Sequence, residues 1–167
     1  AHEAGVSAGM VQHYFRTKDE MMTFALEVVK ENVQTRLAAH SAGHDEPWSP
    51  KMTVRALLLE LLPLDDARRL EGHVGLAFHA YAAVRPAIAA DLREGTKQML
   101  AFLADQIRRA QQTGDAPLEL DADHQARIML ALVEGLSLHV LGQHDDPDRA
   151  LAAFDAHLTA IFQSTNH

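Results

Sequence analysis

Residues 2–22 read HEAGVSAGMVQHYFRTKDEMM. Ala4-Gly5-Val6 has the composition of a helix end followed by a tight turn, because Gly5 can enter the left-handed conformation that terminates a helix. Ser7 is a good N-cap for a short helix over residues 8–15. Val11 and Phe15 lie four residues apart, so they anchor one side of that helix in a core. Ala8, Gly9, Gln12 and His13 form the open remainder, small residues beside an amide and an imidazole that can approach base edges. Tyr14, Arg16 and Lys18 are placed to reach phosphates. This is the layout of a recognition helix, with its base readers near the N-terminal end. Read on composition alone, an ordinary helical hairpin is the alternative.

The rest of the chain is expected to be helical. Of 167 residues, 28 are alanine and 22 leucine, both strong helix formers, and no segment alternates apolar and polar residues as a half-buried strand would. Thr17 and Glu20 have capping-box spacing and open a first long helix with the stripe Met22, Leu26, Val29, Val33 and Leu37. A Gly/Pro/His/Asp loop over 41–50 follows. A second helix is expected over 51–62, and a third over 66–84 behind the acidic pair Asp65-Asp66. The fourth is expected over 86–113, with Pro86 in its first turn and Gly114 just past its end. Its stripe is Ile88, Leu92, Met99, Leu103, Ile107 and Ala110. Asp121 or Asp123 caps the fifth, which ends at Gly142. Asp146-Pro147 opens the sixth, with the stripe Leu151, Phe154, Leu158 and Ile161.

The fifth helix is apolar on all sides and must be covered on all sides. A two-fold mate supplies that cover, a central position in a monomer being the alternative. The short link to the sixth helix makes the two antiparallel. Leu132, Leu136, Val140, Leu151, Phe154, Leu158 and Ile161 are the expected dimer contacts.

At this size a chain buries roughly 70% of its unfolded surface, enough for a core without staples. There is no cysteine, which excludes disulfides and thiolate metal sites and points to a reducing compartment. The longest unbroken apolar run, Ile128 to Val133, is far too short to span a bilayer, and no secretory pattern opens the chain. A cytoplasmic protein without membrane contact is expected. Fifteen Lys+Arg against 23 Asp+Glu give a net charge of −8, so nucleic-acid contact must be local. The chain begins without an initiator Met and in mid-pattern, and further residues upstream are expected to supply cations.

Residues 2–22 resemble the second half of the helix-turn-helix of the tetracycline-repressor-like (TetR) regulators. The Ala-Gly-Val-Ser turn, the Tyr-Phe pair and the following Lys-Asp-Glu-Met-Met carry the likeness. Val133-Glu134-Gly135-Leu136 and the closing Asp-Pro helix are similar to the C-terminal region of the betaine-regulator-like branch. The resemblance implies an all-α chain. Residues 1–17 would be the end of a truncated helix-turn-helix, and 18–167 a six-helix effector-binding and dimerisation domain. It implies a homodimeric, ligand-responsive repressor of a double-stranded DNA operator, released by a small molecule. A dimeric helical small-molecule binder without DNA binding is the alternative. The positions that fall where the family touches DNA are Ser7, Ala8, Gly9, Met10, Gln12, His13, Tyr14 and Lys18. Two depart from the common pattern. Met10 replaces a frequent threonine and loses its hydroxyl, and Gln12 replaces a frequent tyrosine and can read adenine.

Polar residues on apolar helices suggest the effector site. Phe78, His79 and Tyr81 on the third helix, Met99 and Phe102 on the fourth, and Glu134 and His139 on the fifth are the expected ligand contacts, around a cavity between those helices. Trp48 either closes that cavity or covers the core. The His40/His44/Asp45 and His139/His144/Asp145 groupings straddle loops rather than one regular helix, so no metal is expected. No nucleophile elbow, phosphate loop or dinucleotide fingerprint occurs, and neither an enzyme nor a cofactor is expected.

Overall fold

The computed structural model describes residues 15–43 and 46–163. Those residues form six helices: α1 (Lys18–Ala42), α2 (Pro50–Leu59), α3 (Asp66–Ala82), α4 (Pro86–Thr113), α5 (Ala122–Leu141) and α6 (Pro147–Ile161). The all-α, six-helix reading of the sequence therefore holds for the described chain.

Most helix starts are set by side chains that satisfy the free amides of a first turn. The Thr17 hydroxyl accepts from the Glu20 amide at 3.1 Å, and the Glu20 carboxylate accepts from the Arg16 and Thr17 amides at 2.8 and 3.3 Å. Ser49, Asp65, Asp121 and Asp146 cap α2, α3, α5 and α6 in the same manner. Of the two acids considered for α5, Asp121 is the cap. Gly114 closes α4 at φ 83°, the left-handed region where a Cβ would be strained. Helix α2 stops at Leu59, three residues before its expected end. Residues 60–62 continue as tighter i→i−3 turns, because Pro63 disfavours the α conformation at Leu62.

One core joins α2, α4, α5 and α6. Val54 and Leu58 meet Leu103 and Ile107 from α4, Met129 and Val133 from α5, and Phe154, Leu158 and Ile161 from α6, all at 3% exposure or less. The Arg55 guanidinium grips the Asp155 carboxylate with two bonds of 2.7 and 2.9 Å and ties α2 to α6. Coverage of α4 falls off towards its start. Leu103, Ile107 and Ala110 are sealed, while Ile88, Leu92 and Met99 are only half-buried.

Helix α1 has no buried residue and packs on α3. Its stripe of Met22, Leu26, Val29, Val33 and Leu37 is half-buried throughout. Polar contacts hold it at both ends. Near its C-terminal end the Arg36 guanidinium takes both oxygens of Glu71 at 3.0 and 2.6 Å and reaches the buried Glu60 carboxylate at 2.5 Å. Asn32 also donates to Glu71, and Arg68 closes the network by bonding Glu60 and Asp65. At the other end, Asp19 meets Tyr81 and Arg85. Pairing of 36 with 71 and of 19 with 81 makes the two helices antiparallel.

Candidate functional site

The poorly covered first half of α4 forms one side of a cleft. Its volume is about 740 Å³, and α3 and α5 form the other sides. Ala89, Leu92, Arg93, Thr96, Lys97, Leu100 and Ala101 contribute from α4 at helical spacing. The last turn of α3 gives His79 and Ala82, followed by Ala83, and the first turns of α5 give Asp123 and Arg127. Space exists because alanines line it where larger side chains would close it. The volume falls within the range of about 300–1,000 Å³ usual for small-molecule sites.

The charges around the cleft are unequal. Asp123 is engaged by the Arg108 guanidinium. Lys97 stands 3.8 Å from Glu94 in an exposed pair. Arg93 and Arg127 make no side-chain hydrogen bond or ion pair among the described residues.

The wall formed by α3 continues directly into the contact with α1. Within its last turn and the next residues, His79, Ala82 and Ala83 face the cleft, while Tyr81 and Arg85 hold the start of α1. The Tyr81 hydroxyl donates to Asp19. The Arg85 guanidinium carbon lies 3.5 Å from the Tyr81 ring centroid, and the Lys18 ammonium 5.0 Å from it. The bond to Asp19 pushes the Tyr81 phenol above its ordinary range. Phe15, just before α1, packs its ring 5.3 Å from that of Phe24.

Of the residues expected to touch an effector, His79 lines the cleft. Phe78 is 4% exposed and belongs to the buried interior, and Met99 packs against the core. Tyr81 turns to α1. Phe102, Glu134 and His139 are exposed and stand outside the lining. Trp48 is half-buried. Arg93, Lys97 and Arg127 escaped the sequence reading, since a cation on a helix reads as a solvated position. The available signal was the run of small residues beside them.

Of the positions expected to contact DNA, Lys18 is the first residue of α1, whereas Ser7, Ala8, Gly9, Met10, Gln12, His13 and Tyr14 lie outside the described residues. On α5 and α6, Val140, Phe154, Leu158 and Ile161 are buried within the protomer. Leu132, Leu136 and Leu151 are half-buried, and Leu138 is 50% exposed. A second, more polar depression of about 610 Å³ lies at the α5–α6 turn, beside Arg69, His144, Asp145 and Arg149. Among the described residues no three His, Asp or Glu side chains converge as a metal shell. No described helix is long and apolar enough to cross a membrane.

Residues 50–163 match the family model described as BetI-type transcriptional repressor, C-terminal. The chain is 33% identical over 145 residues to the HTH-type transcriptional regulator PksA of Bacillus subtilis. That alignment takes in 84% of this chain and 66% of PksA, so the chain spans just under two thirds of that relative. It is 27% identical to the HTH-type transcriptional regulator BetI 1 of Chromohalobacter salexigens, over 100% of this chain and 80% of the relative. Among solved structures, a transcriptional regulator from Rhodococcus sp. Rha1 superposes with a TM-score of 0.71 at 35% identity, covering 96% of this chain and 81% of that one. The matched segment includes the whole of α2 to α6, and so the cleft and both of its cationic walls. On these grounds the chain belongs to the TetR family of transcriptional regulators, with a C-terminal region of the BetI type.

Proposed function

We propose that the protein is a ligand-responsive, sequence-specific DNA-binding repressor that works as a homodimer and leaves its operator when a small molecule binds. Residues 1–17 serve as the end of the DNA-binding unit and 18–167 as the effector-binding and dimerisation domain. The observation that carries the reading is the double role of the end of α3. It walls the cleft with His79 and Ala82, and it holds Lys18 and Asp19 through Tyr81 and Arg85. Lys18 follows within a few residues of the segment that resembles a recognition helix. Membership of a family of transcriptional regulators supports the same reading.

A two-fold mate packs on the outward faces of α5 and α6, where Leu132, Leu136, Leu138 and Leu151 retain open surface. Val140, Phe154, Leu158 and Ile161 back that surface from inside the protomer. Two recognition helices then enter successive major grooves about 34–36 Å apart.

The test is selection of bound duplexes from a random pool by the protein in its complete natural form, with and without extracted metabolites. The expected result is a two-fold symmetric site. Gln12→Ala should relax base preference at one position per half-site. Lys18→Ala should weaken all sequences and reduce the salt slope by about 1. Absence of any preference over random DNA, with and without extracts, overturns the reading.

A further inference from the structure

We infer that the cleft takes an amphipathic oxyanion, an apolar body carrying one carboxylate or phosphate head, rather than a cation. The inference rests on the reading of the cleft as the effector site and names the chemistry of its ligand. The chain as a whole carries −8, yet three cations, Arg93, Lys97 and Arg127, line this one cleft. Its one lining carboxylate, Asp123, is already bonded to Arg108. Arg93 on α4 and Arg127 on α5 have no side-chain partner among the described residues. Both guanidiniums are exposed at the cleft, and each offers a planar donor fork that matches an oxyanion with two bonds. Ala82, Ala89, Leu92 and Leu100 line the same cleft, which suits an apolar body. His79 adds a ring nitrogen on the α3 side.

A quaternary ammonium meets the opposite of what it needs. It finds two unpaired guanidiniums and Lys97 beside Glu94, and among the described residues no lining carboxylate free of an internal partner. Among the described residues no Phe, Tyr or Trp lines the cleft, and Tyr81, one residue from the α3 wall, already carries Arg85 and Lys18 over its ring.

Calorimetric titration of the 167-residue chain tests the assignment. The probes share one apolar chain below its micelle-forming concentration: octanoate, octyl phosphate, octanol and octyltrimethylammonium. Octanoate or octyl phosphate should bind about tenfold or more tightly than octanol and the ammonium, and which of the two anions leads identifies the head. Arg93→Gln with Arg127→Gln should reduce anion binding to the level of octanol without lowering Tm. Ala89→Trp should obstruct the cleft and abolish anion binding. Equal or tighter binding of octyltrimethylammonium or octanol, blocked by Ala89→Trp, overturns the anion assignment and leaves the effector cleft standing. Binding of none of the probes, or anion binding indifferent to all three substitutions, removes the cleft as the site. The DNA selection described above reports separately on repression.

Discussion

The Tyr81 hydroxyl at the end of α3 donates to the Asp19 carboxylate in the first turn of α1, joining residues 62 positions apart. Arg85 lies on the same ring and bonds the Tyr81 carbonyl at 3.2 Å. This contact joins the residues beside the cleft wall to the first turn of α1. Tyr81→Phe keeps the ring and its cations and removes the bond to Asp19. It should raise hydrogen exchange in the first turn of α1 severalfold and weaken the effector's influence on DNA. Effector affinity in the cleft should stay nearly unchanged. Unaltered exchange and full effector response in the variant would show that the bond transmits nothing.

The same bond makes a prediction at high pH. The folded phenol titrates above its ordinary value near 10, so the bond's contribution is complete below that pH and is lost as pH rises through the raised folded value. Absorbance titration should show a late-ionising tyrosine that disappears in Tyr81→Phe. An ordinary midpoint for both tyrosines would contradict the contact.

The other end of α1 is sensitive to acid. The Arg36 guanidinium bonded to Glu71 holds that carboxyl below its ordinary value of 4.5. A lowered folded pKa gives stability that is complete above the unfolded value and lost as pH falls through the folded one. Helix α1 should therefore loosen from α3 as pH falls through the lowered Glu71 value, and Glu71→Gln should remove that acid step. Arg36→Met leaves the buried Glu60 with Arg68 as its remaining ion pair and should cost about 1–3 kcal/mol in urea unfolding. A loss under a few tenths would show the network to be solvated.

Leu158 and Leu138 separate folding from association. Leu158 is 1% exposed among the residues of α2, α4 and α5, so Leu158→Ala should cost about 2–5 kcal/mol. Leu138 is 50% exposed, so Leu138→Glu should leave the fold intact and shift a dimer towards monomer in sedimentation. A monodisperse monomer in the unsubstituted protein at micromolar concentration would remove the dimer proposal.

Much of the helical order was legible because it is written locally. Thr17 with Glu20, Asp146 with Pro147, and Gly114 act within a few residues of themselves, and the stripes of α1 and α4 follow from spacing alone. What an apolar stripe does not state is which chain covers it. Phe154, Leu158 and Ile161 are covered by α2, α4 and α5 of their own protomer. The cleft was harder still. Its position between the third, fourth and fifth helices follows from helix order, but its lining depends on how α3 and α5 sit against the under-covered start of α4. That packing places Arg93, Lys97 and Arg127, exposed as they are, along the cleft, while Phe102 and His139 stand outside its lining.

Occupancy of the cleft should change DNA affinity. The direct measurement is the Kd of the complete protein for its selected operator, titrated with whichever compound calorimetry places in the cleft. An effector shifts that equilibrium only through its difference in affinity for the two states. Operator affinity should fall by about 5–150-fold at saturation, with the same factor recovered as weaker effector binding when operator is bound. Ala89→Trp should abolish the effect. An operator affinity unchanged with the cleft saturated would contradict this coupling.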